Sequence, residues 1–233
     1  MANLQKVLFL AANPRDTPQL RLNEEVREIQ ASLRYGKYGQ NFDLQQRWAI
    51  RTKDLRQALL DVEPQVVHFS GHGASSGGIF LEDDLGKPKL IPPKALANLF
   101  ELCSSSVECV ILNACYSEIQ ADAIAQHIDY VVGMRQAIGD KAAIGFSKGF
   151  YDGLGADRSI EESYSFGCNA IELENISEYL IPILKARKSR GLYTLSEDWS
   201  NEAYVSLHLV QRILEESGLP SSASQESKKA MRN

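Results

Sequence analysis

Val66-Val67-His68-Phe69-Ser70-Gly71-His72-Gly73 is the stretch on which the reading of the chain turns. Its first five residues form a short run, mostly apolar, rich in β-branched and aromatic side chains, which suits a strand buried on both faces. The glycines then end the strand and leave His72 in a loop. A second stretch of the same kind follows at Val107 to Asn113 (VECVILN) and runs straight into Ala114-Cys115. Cys115 is expected to open a helix that continues to His127. In an open α/β sheet, ligands bind beyond the carboxyl ends of the strands. If these two strands are neighbours, an imidazole and a thiol share one rim of the sheet.

The flanking sequence supplies the rest of such a sheet. Lys6 to Ala12 (KVLFLAA) reads as a buried first strand, closed by Asn13-Pro14. Leu22, Val26, Ile29 and Leu33 recur at helical spacing, and Gly36 closes that helix. Phe42, Leu44, Trp48 and Ile50 suggest the second strand, and Thr52 is read as the N-cap of a helix with Leu55, Leu59 and Leu60 on its inner face. Gly77-Gly78 introduces a small hairpin in which Ile79-Phe80-Leu81 pairs with Lys89 to Ile91. Pro92-Pro93 opens a helix carrying Leu96, Leu99 and Phe100. Tyr130 to Gly133 is a fifth strand. Asp140 is read as the cap of a long helix containing Ala143, Phe146 and Phe150, and Ser159 as the cap of another through Glu172.

Strands alternating with helices predict a mostly parallel sheet, covered by helices on both faces and connected by right-handed crossovers. The expected division is one α/β domain over residues 1–175, a helical extension packed on it over 176–218, and a disordered tail over 219–233. The extension includes a helix from Ser196 to Ser217. The tail is rich in Ser and Lys and too polar to fold alone.

A thiol attacks only as thiolate, a form favoured beside an imidazole or at a helix N-terminus. His72 can activate such a thiol and protonate a leaving amine. Gly73 lets the backbone approach a substrate closely, so its N–H and that of Cys115 can together bind a developing oxyanion.

The paired stretches Val66 to Gly73 and Ile111-Leu112-Asn113-Ala114-Cys115 resemble the His and Cys motifs of caspase-like peptidases. Val132-Gly133-Met134-Arg135, Ile138 to Ala143 and Gly149-Phe150-Tyr151 resemble the CHAT branch in particular. So do Phe9 to Pro14 and Leu20 to Glu25. The resemblance spans about Lys6 to Ala170. It implies a caspase-like α/β/α fold, with His72 as general acid/base, Cys115 as nucleophile, and the amides of Gly73 and Cys115 as oxyanion hole. It also implies an endopeptidase that cuts a particular partner protein, as an effector in bacterial antiviral defence or programmed cell death. Relatives that cut after Lys or Arg carry Asp two positions before the nucleophile; Asn113 stands there in this chain. An arginine after the first strand holds an acidic substrate residue in caspases, and Arg15 and Arg21 lie in that region. Met134 and Arg135, following the fifth strand on the same rim, are further candidates for the substrate groove. No long acidic linker follows the Cys115 strand, so control by a regulatory protein or ligand-sensing partner is expected rather than self-cleavage there. The alternative is a catalytically silent adaptor of the same fold that binds protein partners.

Composition narrows the field. A net charge of −5 and a pI near 5.5 leave no basic footprint for nucleic acid. The cluster Lys185, Arg187, Lys188 and Arg190 is read as a solvated helix end. The apolar run at Val7 to Leu10 is too short for a membrane span or a secretory core. Without such a signal the four cysteines are expected to be free in a reducing cytoplasm, with Cys103, Cys109 and Cys168 inert. No phosphate-binding glycine motif follows the first strand, and no cofactor is expected. His68 is read as a hydrogen-bonded core residue rather than a zinc ligand with His72 and Cys115. Glu82-Asp83-Asp84 is read as a solvated turn rather than a calcium site, and His127 and His208 as surface residues.

Overall fold

In the computed structural model, residues 4–188 and 191–195 are described, and all lie within one compact unit. Apolar runs and amphipathic stretches alternate as the sequence predicts. Strand β1 (Gln5–Ala11) is followed by helix α1 (Leu22–Tyr35), β2 (Phe42–Arg47), α2 (Thr52–Val62) and β3 (Val66–Ser70). A hairpin of β4 (Ile79–Glu82) and β5 (Pro88–Ile91) then precedes α3 (Pro93–Leu102). Next come β6 (Cys109–Asn113), α4 (Glu118–Ile124), β7 (Tyr130–Met134), α5 (Asp140–Gly155) and α6 (Ile160–Leu173). The strands β8 (Pro182–Lys188) and β9 (Gly191–Leu195) close the series.

Seven strands form one sheet in the order β2-β1-β3-β6-β7-β8-β9, parallel from β2 through β7 and antiparallel at β8 and β9. Alternate residues of each strand feed two separate cores. Leu8, Leu10, Val67, Phe69, Val110 and Leu112 pack with α2, α3 and α4 on one face. Val7, Phe9, Val66, Cys109 and Ile111 pack with α1, α5 and α6 on the other. The result is a three-layer α/β/α fold with a mostly parallel sheet. Among the described residues no helix is long and apolar enough to cross a membrane.

Several local expectations are corrected. Trp48 and Ile50 lie beyond β2, which ends at Arg47, and Leu60 of α2 is exposed rather than on its inner face. Arg51, not Thr52, occupies the N-cap of α2, and the Asp54 carboxylate accepts from the Arg51 backbone N–H at 3.3 Å and from its Nε at 2.6 Å. Gly139 caps α5, and Asp140 is its first residue. Ser159 does cap α6, in a reciprocal capping box with Glu162.

The helical extension expected from residue 176 begins instead with a single 3-10 turn and the β8–β9 hairpin, which extends the sheet beyond β7. Lys185, Arg187 and Lys188 of the basic cluster therefore sit on a strand, and Arg190 lies outside the described residues. Lys185 is buried there, its ammonium 3.0 Å from Glu118 and 2.9 Å from Asp122 on α4. Arg187 pairs with Asp129 at 3.3 Å. The expected Ser196–Ser217 helix, His208 and the 219–233 tail lie outside the described residues.

Candidate active site

β3 and β6 are adjacent and parallel, and their last register pair is Ser70 with Asn113. His72 and Cys115 each stand two residues beyond that pair. Side chains alternate along a strand, so His68, Ser70 and Asn113 all face the α1/α5 layer. His72 and Cys115 continue that series past the strand ends. Both line one narrow cavity of about 40 Å³, walled by Leu20, Arg21 and Ile138 and floored by Glu25, Ser70 and Asn113.

His72 and Cys115 are each held from a different loop. The Nε2–H of His72 donates to the Pro18 carbonyl at 2.8 Å. A carbonyl only accepts, so Nε2 carries the proton and Nδ1 is left to exchange one. The Cys115 sulfur accepts from the Ile138 N–H at 3.4 Å and lies 3.7 Å from the Ile138 carbonyl. Tyr116 follows at φ 56°, in the left-handed region. That turn ends the strand abruptly, and it is pinned by Tyr116 N–H donating to the Gln136 carbonyl at 3.2 Å. Ser117, fully buried, donates to the Leu112 carbonyl and accepts from the Met134 N–H, both at 2.9 Å.

Cys115 is thus not at a helix N-terminus, as expected from sequence. α4 starts only at Glu118 and is seven residues long, so the main-chain N–H that reaches the sulfur is that of Ile138 rather than one at a helix end.

Gly73 backs directly onto Cys115. A Cβ at position 73 would lie 1.8 Å from the Cys115 carbonyl oxygen and 3.3 Å from its nitrogen. Only glycine allows the two main chains to run this close.

Of the groove candidates, Arg21 lines the cavity, with an exposed guanidinium paired to Glu24. Asn113 lines it from below but is buried, and its amide Nδ2 is occupied by Glu25 at 2.6 Å and by the Ala143 carbonyl and Ser147 at 3.2 Å. Arg15 lies elsewhere, in a shallow depression with Trp48, Arg51 and the β4–β5 turn, where its N–H donates to the Gly86 carbonyl at 2.9 Å. Arg135 is exposed and outside the cavity lining. Met134 is fully buried in the core on the α1/α5 face, so it does not serve as a groove residue.

His68 is a core histidine. Its Nε2–H donates to Glu25 at 2.9 Å, and its Nδ1 meets the Tyr151 hydroxyl at 3.2 Å, which leaves neither nitrogen for a metal. No group of three His, Cys, Asp or Glu among the described residues has a metal-binding arrangement. The acidic hairpin turn is internally satisfied, since Asp83 accepts from the Leu85 and Lys87 amides at 2.8 Å. Asp84 pairs with Arg51 and Lys53 at 3.2 Å. Cys109 and Cys168 are buried, and desolvation pushes the Cys109 thiol far up; Cys103 is half-buried and also raised by desolvation.

Sequence reasoning missed Glu25. Burial opposes its charge, yet the hydrogen bond and charge of His68, with hydrogen bonds from Ser70 and Asn113, outweigh that penalty and hold the carboxyl below its usual range. A signal was present: Glu25 falls inside the apolar stripe Leu22, Val26, Ile29, Leu33 of α1. The hydroxyl and amide of Ser70 and Asn113 end otherwise apolar strands on the same face.

A parallel sheet carrying His and Cys at neighbouring strand ends, with an antiparallel edge beyond, places the chain in the class of caspase-like α/β/α folds. The chain belongs to the CHAT domain family, whose match covers residues 3–165. It is 25% identical over 179 residues to a "Probable protease" of Gillisia limnaea, covering 74% of this chain and 31% of that protein. It is 23% identical over 175 residues to a "Roc-COR-CHAT protease" from an unknown prokaryotic organism, covering 72% of this chain and 16% of that one. The chain therefore spans a third or less of these curated relatives. Its fold is similar to that of a secreted C11 cysteine protease from Bacteroides thetaiotaomicron bound to an irreversible peptide inhibitor, with a TM-score of 0.55 at 10% identity over 80% of this chain and 66% of that one. It is equally similar to the Arg-specific cysteine proteinase gingipain R, with a TM-score of 0.55 at 11% identity over 76% of this chain and 44% of that one.

Proposed function

We propose that this chain is a cysteine endopeptidase in which Cys115 is the nucleophile and His72 the general acid/base. The observation that carries the reading is the cavity itself. It is lined by a thiol and an imidazole that continue one register pair of adjacent parallel strands, and the imidazole's Nε2–H is fixed on Pro18. The relatives' names as proteases support it.

In this mechanism Nδ1 of His72 takes the thiol proton as the sulfur attacks the scissile carbonyl carbon. The carbonyl oxygen becomes an oxyanion, held by the amides of Gly73 and Cys115. Collapse breaks the C–N bond, and His72 returns the proton to the leaving amine. Water, deprotonated by His72, then hydrolyses the thioester and frees the sulfur.

The substrate is a particular protein, and the setting is a bacterial defence or cell-death pathway within the cytoplasm, under the control of a partner.

The test is labelling with a peptidyl acyloxymethyl ketone, mapped by mass spectrometry. Cys115 is expected to be labelled, and His72→Ala to slow labelling by about 100-fold or more. Equal labelling of the two proteins, or modification at Cys103 instead, sinks the peptidase reading in favour of the adaptor.

A further inference from the structure

Glu25 is 2% exposed, and a buried carboxylate is a poor way to stabilise a core: an apolar side chain of similar size commonly does as well or better. What a carboxylate offers instead is two oxygens that accept several hydrogen bonds at fixed positions. Oε1 accepts from His68 Nε2 at 2.9 Å, Asn113 Nδ2 at 2.6 Å and Ser147 Oγ at 2.8 Å. Oε2 accepts from the Ser70 hydroxyl.

These donors are not scattered. Ser70 and Asn113 are the last register pair of β3 and β6, one step of the alternation before His72 and Cys115. Ser147 belongs to α5, whose preceding loop supplies the Ile138 amide to the Cys115 sulfur. Glu25 itself belongs to α1, whose preceding loop supplies the Pro18 carbonyl to His72. One carboxylate thus ties together both strands that carry the dyad and both helices whose leading loops touch it.

We propose that Glu25 is a positioning residue that sets the spacing of His72 and Cys115 by gripping Ser70 and Asn113 across the ends of β3 and β6. The inference rests on the peptidase reading. Glu25 lines the same cavity but makes its hydrogen bonds to His68, Ser70, Asn113 and Ser147, not to the sulfur or imidazole of the dyad, and acts through the strand ends.

A double-mutant cycle separates this role from plain structural support. The rate of carbamidomethylation of Cys115 by iodoacetamide is measured by peptide mass spectrometry at neutral pH, on protein shown to be folded by circular dichroism. Four proteins are compared: the unaltered chain, His72→Ala, Glu25→Gln, and both together. In the unaltered background His72→Ala is expected to slow alkylation by more than about tenfold. In the Glu25→Gln background that factor is expected to collapse to within about twofold of unity. Ser70→Ala removes a single link and keeps the carboxylate; it is expected to cut the His72 factor about threefold, and it decides the matter if Glu25→Gln does not fold. Folded variants that keep the full His72 factor overturn the positioning role and leave the peptidase reading standing. No His72 factor in the unaltered chain overturns both.

Discussion

At position 73 the space for a side chain is already taken by the backbone of Cys115. The missing Cβ would stand 1.8 Å from a carbonyl oxygen that cannot swing away, since the turn after it is pinned through Tyr116 and Ser117. Gly73→Ala is therefore expected to push the two segments apart. It should abolish peptidyl-probe labelling of Cys115 and lower stability by about 1–3 kcal/mol in chemical denaturation. Unchanged labelling with an unchanged melting curve would show that the contact is slack. The placement of His72, Cys115 and Gly73 on one rim was legible in sequence because glycine and strand periodicity mark the rim directly. Pro18 and Ile138 were not: they act through main-chain groups, and a backbone carbonyl or amide has no letter in the sequence. Met134 was misjudged for a related reason. It stands at the end of the right strand, but the alternation turns it inward.

Helices α5 and α6 pack through glycines, and the space at each decides the sign of its substitution. A Cβ at Gly149 would lie 2.4 Å from the Phe166 carbonyl oxygen and 2.6 Å from the Ala170 Cβ. At Gly145 the nearest atom across the interface is an Ile171 side-chain carbon at 3.8 Å, ordinary contact. Alanine in place of a mid-helix glycine gains up to about 1 kcal/mol from propensity, while overpacking a close interface costs about 1–3 kcal/mol. Gly145→Ala is thus expected to raise stability and Gly149→Ala to lower it, measured by urea unfolding; the same sign at both positions would refute the account. Elements with their own periodicity, such as β3, β6, α1 and α6, could be read in advance. The start of α4 could not, because the left-handed Tyr116 is imposed by contacts to β7 and its following loop rather than by local preference. β8 and β9 were missed because strand identity there depends on pairing with the edge of β7, and strand propensity is largely that tertiary context.

For the molecule as a whole, the buried carboxylate under the cavity links the site to global stability through pH. Glu25 in the folded chain holds its proton less tightly than its usual value of 4.5, because His68, Ser70 and Asn113 outweigh the burial that opposes its charge. As pH falls, the unfolded chain takes up this proton first, near 4.5, while the folded chain resists to lower pH. Stability from this residue is therefore fully present above about pH 4.5 and is lost as pH falls through the folded value. Glu25→Gln has no such proton to exchange. The exposed carboxylates that are also lowered, Asp54 beside Arg51 and Asp83 under the Leu85 and Lys87 amides, titrate alike in both proteins and cancel in the comparison. Between pH 4.5 and 3, the unfolding free energy of the unaltered chain is expected to fall more steeply than that of Glu25→Gln, by up to one proton, about 1.4 kcal/mol per pH unit. Parallel slopes over that range would mean that Glu25 titrates in the fold as it does in the open chain, and that the four donors around it do not act as its counterweight.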